Sequence, residues 1–452
     1  MNKDLTVGKP EQVLWKFSLP LFVSVIFQQL YNIADSIIAG KFAGEDALAA
    51  VGASYPITMI FMAIALGSNI GCSIVVSRLF GAKDYKNMKT AISTSIIAAL
   101  ILSVVLTLGG IIGSIGMLKL LKTPDNIMKD GALYLRIYIG GFAFVCLYNI
   151  ATGIFQALGD SQTPLFLLIG SSVGNILLDL LFVAVFHWGV GGVAWATFIA
   201  QGIACVFSLY ILSRRIKGIK VDGSVPVFSG GMLKQIGYLA IPSILQQSFV
   251  SVGNLFIQGL VNSYGSSVIA GYSAAVKLNT IVTMSFTTLG NGVSSFTAQN
   301  CGAGKTERVK KGCFAGCVMA IIVTIPFFAA YFFFGSTMIN LFMDSDESIT
   351  AINTGVTFLR IVSPFYAVVA IKLILDGMYR GMGKMGIFMT MTFTDLIVRV
   401  ILAYIFSPIY GSKGIWMSWP VGWCASLILY LIIILITKII TNARKTKTIS
   451  GT

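Results

Sequence analysis

Residues 13–39 read VLWKFSLPLFVSVIFQQLYNIADSIIA, and this stretch decides the class of fold. At about 1.5 Å of rise per residue, such a run is long enough as a helix to cross a hydrocarbon layer about 30 Å thick. It is too long for the apolar region of a cleavable signal peptide, and no such peptide is expected. Comparable runs recur along the chain, and spans are predicted at 14–39, 50–77, 92–117, 132–156, 164–187, 190–212, 236–262, 268–297, 313–334, 355–379, 386–407 and 414–438. Hydrophobic residues make up 56% of the 452 positions and charged residues only 11%, against about 25% charged in soluble domains. A soluble core could not hide that much apolar surface. The predicted fold is therefore an all-α integral membrane protein of about twelve transmembrane helices.

The net charge of +15 would suit a nucleic-acid partner if the basic residues formed a continuous face. They form short clusters between the apolar runs instead, so no nucleic acid is expected. With a cytoplasmic amino terminus, the inner segments hold 22 of the 32 Lys and Arg: chiefly Arg78 to Lys89, Arg214 to Lys234, Lys305 to Lys311 and the tail from Lys438 to Lys447. The outer segments hold six: Lys41, Lys119, Lys122, Lys129, Arg136 and Lys413. Basic loops stay on the cytoplasmic side. Both termini are thus expected there, with the acidic loop of Asp344, Asp346 and Glu347 outside.

The chain also repeats itself at an offset of about 222 residues. Ser18-Leu19-Pro20 returns as Ala240-Ile241-Pro242, and Gly81-Ala82-Lys83 as Gly302-Ala303-Gly304-Lys305. Gly153 and Gly159 return as Gly377 and Gly383. The predicted organisation is a first six-helix half at 1–212, a basic linker at 213–235 and a second half at 236–452. Because each half has an even number of spans, the halves enter from the same side as parallel repeats. A substrate cavity is expected between them.

Ionisable groups inside spans are costly, so each is a functional candidate. The first span carries Ser24, Gln28, Asn32 and Asp35, spaced four, four and three apart on one face. The matching seventh span carries Gln247, Ser251, Asn254 and Gln258. These stripes read either as two walls of a wet cavity or as polar glue between helices. The fifth span carries Asn175 and Asp179 on one face, and the sixth carries Thr197. Counting helical rise, Asp35, Asp179 and Thr197 lie roughly 9, 12 and 10 Å below the outer ends of their helices. They can therefore meet at one level. Two carboxylates, an amide and a hydroxyl make a hard-oxygen site for a proton or a small cation such as sodium. Asp376 with Arg380, and Asp395 with Arg399, are each four apart and read mainly as neutralising pairs on a helix face. Lys277 in the eighth span is a cavity candidate that either pairs with a carboxylate or gates the site. The methionines from Met378 to Met391 suit a promiscuous pocket and equally suit plain filling.

Other signals carry less. Gly302-Ala303-Gly304-Lys305-Thr306 looks like the end of a phosphate-binding loop, but Gln299 stands where its first glycine belongs, and no strand is expected before it. Cys313 and Cys317 share a helix face and read as packing. The one histidine, His187, falls near an outer loop. No acid–base or metal-ligand set of an enzyme is visible, and no organic cofactor is expected.

The proline early in the first span of each half and the Gly-Ala-Lys loop after each second span resemble the multidrug and toxic compound extrusion (MATE) family. So does Gly-Asp-Ser-Gln-Thr-Pro at 159–164. The resemblance extends over essentially the whole chain. It implies a two-lobed, V-shaped antiporter in the cell membrane, working as a monomer, that expels organic cations and drugs against incoming protons or sodium ions. Asp35, Asn175, Asp179 and Thr197 match, position by position, the coupling set of the DinF-like and MepA-like branch of this flippase superfamily. The acidic residues that the NorM branch carries on its seventh and eighth helices are absent, and Lys277 stands in the eighth span. Two alternatives stay open: a flippase for lipid-linked saccharides, which would want many arginines in its cavity, and a membrane-embedded transferase.

Overall fold

The computed structural model describes residues 3–38, 42, 45–342 and 349–449. The acidic loop of Asp344, Asp346 and Glu347 lies outside the described residues. In chain order the helices are α1 (Pro10–Ile38), α2 (Glu45–Gly81), α3 (Tyr85–Leu120), α4 (Asp125–Gly140), α5 (Phe142–Ala157), α6 (Gln162–Asp179), α7 (Gly189–Lys217) and α8 (Gly230–Asn262). They continue as α9 (Ser266–Gly302), α10 (Thr306–Phe333), α11 (Gly335–Asn340), α12 (Ile349–Val362), α13 (Tyr366–Gly381), α14 (Met385–Tyr410) and α15 (Ser412–Ile449). No strand occurs among the described residues. In lipid every backbone N–H and C=O must be satisfied within the chain, and helices do this segment by segment.

Among the described residues ten helices are long and apolar enough to cross a membrane, or eleven when α4 and α5, bent by 45° about Gly141, count as one broken span. The remaining predicted span is α9. It has the length to cross, with 37 residues. Its run of Ser, Thr, Asn and Gln from Asn279 to Asn300 lowers its hydropathy. Ile112, Phe166 and Phe314 stand exposed on helix surfaces, as expected where lipid is the solvent.

The molecule divides into two compact units. The first comprises residues 1–248, 292–312 and 381–383, and the second comprises 249–291, 313–380 and 384–452. The loop-proximal ends of α9 and α10 thus pack with the first half of the sequence, and glycine explains how. A Cβ on Gly81 would lie 2.0 Å from the carbonyl oxygen of Gln299, and one on Gly302 would lie 2.0 Å from that of Arg78. Residues 78 and 299, like 81 and 302, are equivalent in the repeat. The ends of α2 and α9 therefore cross through a reciprocal contact, backbone against backbone, that only glycine permits on either side.

The same end of the first unit is strapped by residues 3–8. The Leu5 N–H donates to Gln299 Oε1 (2.9 Å), and Arg308 donates to the carbonyls of Leu5 (3.2 Å), Val7 (3.2 Å) and Gly8 (2.5 Å). Lys305, the lysine of the phosphate-loop look-alike, donates to the Thr6 carbonyl at 2.9 Å. Its place is in a chain anchor.

The motif at 159–164 is a further joint. Gly159 sits at φ +75°, where a Cβ would meet the Lys3 carbonyl oxygen at 1.9 Å. Asp160 accepts from the backbone N–H of Gln162 (3.0 Å) and Thr163 (3.1 Å) and from the Thr163 hydroxyl (2.7 Å), which caps the start of α6. Arg215, at the end of α7, pairs with the same carboxylate. Burial works against the Asp160 charge, but the Thr163 hydroxyl and N–H and the Arg215 guanidinium outweigh it. They hold the carboxyl below its usual range.

The glycine crossing gives a direct test. Gly302→Ala places a methyl against the Arg78 carbonyl and should cost about 1–3 kcal/mol as overpacking. Thermal unfolding in detergent reads this as a lowered Tm, whereas Gly304→Ala, with nothing within 4 Å of its Cβ, meets only backbone strain at φ +70°. Equal melting of Gly302→Ala and the unaltered protein would remove the crossing from the account.

Candidate functional site

In the first unit α6 packs against both α1 and α7, and this brings the predicted quartet together. Asp179 is fully buried and Asn175 nearly so, at 0% and 3% exposure. Asp35 comes from α1, three residues before its end at Ile38, and its carboxyl is within hydrogen-bonding reach of Asp179. Tyr31, one helical turn earlier on α1, directs its hydroxyl to Thr197 of α7. Tyr134 of α4 packs against Val183 and Val193, just beyond Asp179.

The local backbone is unusual at this point. Asp179 is the last α-helical residue of its segment, and residues Leu180–Val185 continue as a wider π-helical turn, a feature frequent at functional sites. Phe182, Phe186 and Trp188 stack beyond it, with Phe182 and Trp188 at 4.9 Å, and His187 takes φ 55° to turn the chain into α7. This aromatic cluster closes the helix end above Asp179, and His187 is part of the turn.

Among the described residues the site has no positive partner. Asp35 Oδ1, both carboxylate oxygens of Asp179, and Oδ1 and Nδ2 of Asn175 are buried with no hydrogen-bond partner. Proximity and lack of partners are two sides of one fact, since ionised carboxylates facing each other can only accept. Groups of this kind in low dielectric call for a proton or a cation between them. The donor set of carboxylates, amide oxygen and hydroxyl fits sodium as well as a proton. A cavity of about 10 Å³ beside Thr197, lined also by Tyr138, Gly141, Val145, Phe198 and Gln201, has room for about one water.

The polar stripes are placed less tightly. On α1, Gln28 is half-buried and Asn32 exposed. On α8, Gln247 falls in the first unit, whereas Ser251, Asn254 and Gln258 fall in the second. Asn254 is exposed, and Gln258 donates to Asn262 at 2.8 Å. Lys277 is exposed on α9 and makes no ion pair among the described residues.

In the second unit the structure corrects the reading of the remaining carboxylates. Neither Asp376 with Arg380 nor Asp395 with Arg399 forms an ion pair. Lys372 takes both carboxylates, its Nζ lying 3.0 Å from Asp376 Oδ2 and 3.4 Å from Asp395 Oδ2. The Tyr430 hydroxyl donates to Asp376 Oδ1 at 2.5 Å. Arg380 donates to Asn291 Oδ1 at 2.7 Å and lies over Phe388. Arg399 lies over Trp419. The i, i+4 spacing permits each arginine pair, but the lysine of α13 sits between α13 and α14 and reaches one carboxylate on each. One ammonium thus ties two helices together where an arginine pair would serve only its own.

Comparison with known proteins follows the same outline. The family model MatE matches residues 20–181 and 242–405, so its two matches begin at Pro20 and Pro242, the offset of the internal repeat. The chain belongs to the MatE family. It is similar to "Probable multidrug resistance protein YpnP" of Bacillus subtilis (strain 168), with 29% identity over 436 residues covering 94% of this chain and 96% of that protein. It is also similar to "Multidrug export protein MepA" of Staphylococcus aureus (strain bovine RF122 / ET3-1), with 23% identity over 427 residues covering 93% of this chain and 94% of that one. Among solved structures, a MOP superfamily transporter from Pyrococcus furiosus Vc1 (DSM3638) superposes with a TM-score of 0.88 at 24% identity, covering 94% of this chain and 95% of that chain. The multi-pass MATE fold expected from the sequence is thereby established.

For this MatE-family chain, sequence reasoning missed Tyr31, Tyr134, Lys372 and Tyr430. Tyr31 had a signal, since it lies four residues before Asp35 and so shares its face. Tyr134, Lys372 and Tyr430 reach their partners across helix packing that no spacing reports.

The Lys372 bridge should be indispensable to the second unit. Lys372→Met leaves two buried carboxylates without a cation and should cost about 3–5 kcal/mol. Adding Asp376→Asn and Asp395→Asn should restore much of the lost Tm in detergent. A triple variant no more stable than Lys372→Met alone would contradict the bridge.

Proposed function

We propose that this chain is a secondary antiporter that exports organic cations and drugs in exchange for protons or sodium ions, with the exchange carried by Asp35, Asn175, Asp179 and Thr197. The observation behind this reading is the facing pair Asp35 and Asp179, buried without a basic partner. Two carboxylates so placed are balanced by one exchangeable positive charge. An entering proton or sodium ion neutralises them, and a departing ion leaves them to attract a cation. Asn175 supplies an amide oxygen, and Thr197, held by Tyr31, a hydroxyl. The relatives bearing names of multidrug resistance and export support the same substrate class. Such a carrier needs no organic cofactor, no nucleic acid and no catalytic step on its substrate. It is expected to act as a monomer in the plasma or inner membrane, with Gln28, Asn32, Gln247, Ser251, Asn254, Gln258 and Lys277 lining the path.

Both termini are placed in the cytoplasm on the basic asymmetry of the loops. On a cysteine-free background, Ser345→Cys should react with an impermeant reagent from outside, and Ser213→Cys only after permeabilisation. The reverse pattern overturns the orientation.

The coupling assignment is tested in proteoliposomes, with a fluorescent organic cation and separate proton and sodium gradients. Asp35→Asn and Asp179→Asn should each lose most of the gradient-driven component while melting as folded proteins. Fully coupled transport by Asp35→Asn would refute the assignment, and the gradient that drives the unaltered protein names the ion.

A further inference from the structure

The buried charges of the second unit do not balance. Among the described residues they are the cations Lys372, Arg380 and Arg399 and the carboxylates Asp376 and Asp395. Lys372 takes both carboxylates, and Arg380 finds the Asn291 carbonyl. Arg399 is left over. It is 6% exposed, meets no carboxylate within ion-pair distance, and its Nε donates to nothing. Its guanidinium carbon lies 4.5 Å from the centroid of the Trp419 ring. The Trp419 Nε1–H is likewise buried with no acceptor. Two neighbouring donors, one of them a full positive charge, thus share a site beside which the unpartnered acceptor is Asp395 Oδ1, one turn back on α14. Buried donors and charges are costly unless they are met.

The surroundings define what would meet them. Arg399 is on α14 and Trp419 on α15, and Gly422, one turn beyond Trp419, lets the helices approach until a Cβ there would lie 2.8 Å from the Asp395 carbonyl oxygen, 2.9 Å from Asp395 Oδ1 and 3.1 Å from Arg399 Cβ. The donors are therefore held on two closely packed helices. Phe358 meets Trp419 edge to face at 5.8 Å, and Tyr272 in turn meets Phe358 at 5.7 Å. Aromatic edges carry partial positive charge and tolerate anions. The unmatched charge is a single one, which calls for a monoanion, and the packing calls for a small one.

We infer that Arg399 and Trp419 are the donor half of a small-monoanion site in the second unit, taking a halide or a carboxylate. Asp395 offers an internal alternative. Its Oδ1 is unpartnered and it precedes Arg399 by one turn, but Lys372 engages its other oxygen. An Asp395–Arg399 pair formed in solution would make the protein indifferent to anions, so the two accounts predict different data.

The test uses the full-length protein in detergent at fixed sodium concentration. Methanesulfonate, bulkier than either test anion, is replaced stepwise by bromide or by acetate, and the Tm is followed. The unaltered protein should show a saturable rise. A response to bromide alone assigns a free inorganic ion, and a response to acetate alone assigns the carboxylate of a solute. Trp419→Phe keeps the ring, loses one hydrogen bond to a charged group, and should weaken binding about tenfold. Arg399→Gln should abolish the response. Should Arg399→Gln fail to fold, Arg399→Lys, which keeps the charge without the planar donor fork, should bind more weakly. Crystals grown in bromide should give an anomalous peak beside Arg399 Nε. Asp35→Asn should leave the anion response intact, which separates this inference from the coupling assignment. An unaltered protein without an anion-dependent Tm, or Arg399→Gln and Trp419→Phe responding as fully as it does, would overturn the site.

Discussion

A charge in hydrocarbon must have a partner, and most of what is specific in this molecule follows from how each buried charge finds one. Asp160 is met by Arg215 and by the N-terminus of α6, and so joins α6 to the end of α7. Asp376 and Asp395 are met by one lysine, and so join α13 to α14. In both places the ion pair is a joint between helices. Lipid provides little hydrophobic force to bring one helix to another, so polar contacts and close packing have to supply it. Breaking such a joint leaves a charge with nowhere to go.

In two places the pairing is incomplete among the described residues. The first unit keeps carboxylate oxygens without donors at Asp35 and Asp179, and the second keeps donors without acceptors at Arg399 and Trp419. The repeats share an ancestral pattern of helices, yet their buried electrostatics have opposite sign. Two homologous halves can hold the same backbone while dividing the chemistry between them, because the fold depends on the helix faces and the site on a few side chains.

The close-packed joints rest on absence of side chain. Gly81 and Gly302 meet each other's helices at repeat-related points, so one backbone solution is used twice. The anchor formed by residues 3–8 lies at the same end, where Arg308 and Lys305 gather backbone carbonyls. Basic side chains there serve the fold as well as the orientation. The positive-inside rule alone therefore does not account for their clustering in the sequence.

By itself the sequence determined the helical class, the spans, the doubling at Pro20 and Pro242 and the quartet of Asp35, Asn175, Asp179 and Thr197. These follow from hydropathy, from self-similarity and from helical period, all of which are local or countable along one strand of text. The partners of Asp376 and Asp395 were not legible in this way. Spacing of four allowed arginine, and only the packing of α13 on α14 brought Lys372 between them. The same holds for Tyr134, which packs against Val183 and Val193 from another helix, for the π-helical turn after Asp179, and for the pairing of Arg399 with Trp419. A helix face states which residues point the same way. Which neighbour that face meets, and at what rotation, is settled by the fit of side chains across helices far apart in sequence, and that fit exists only in the tertiary structure.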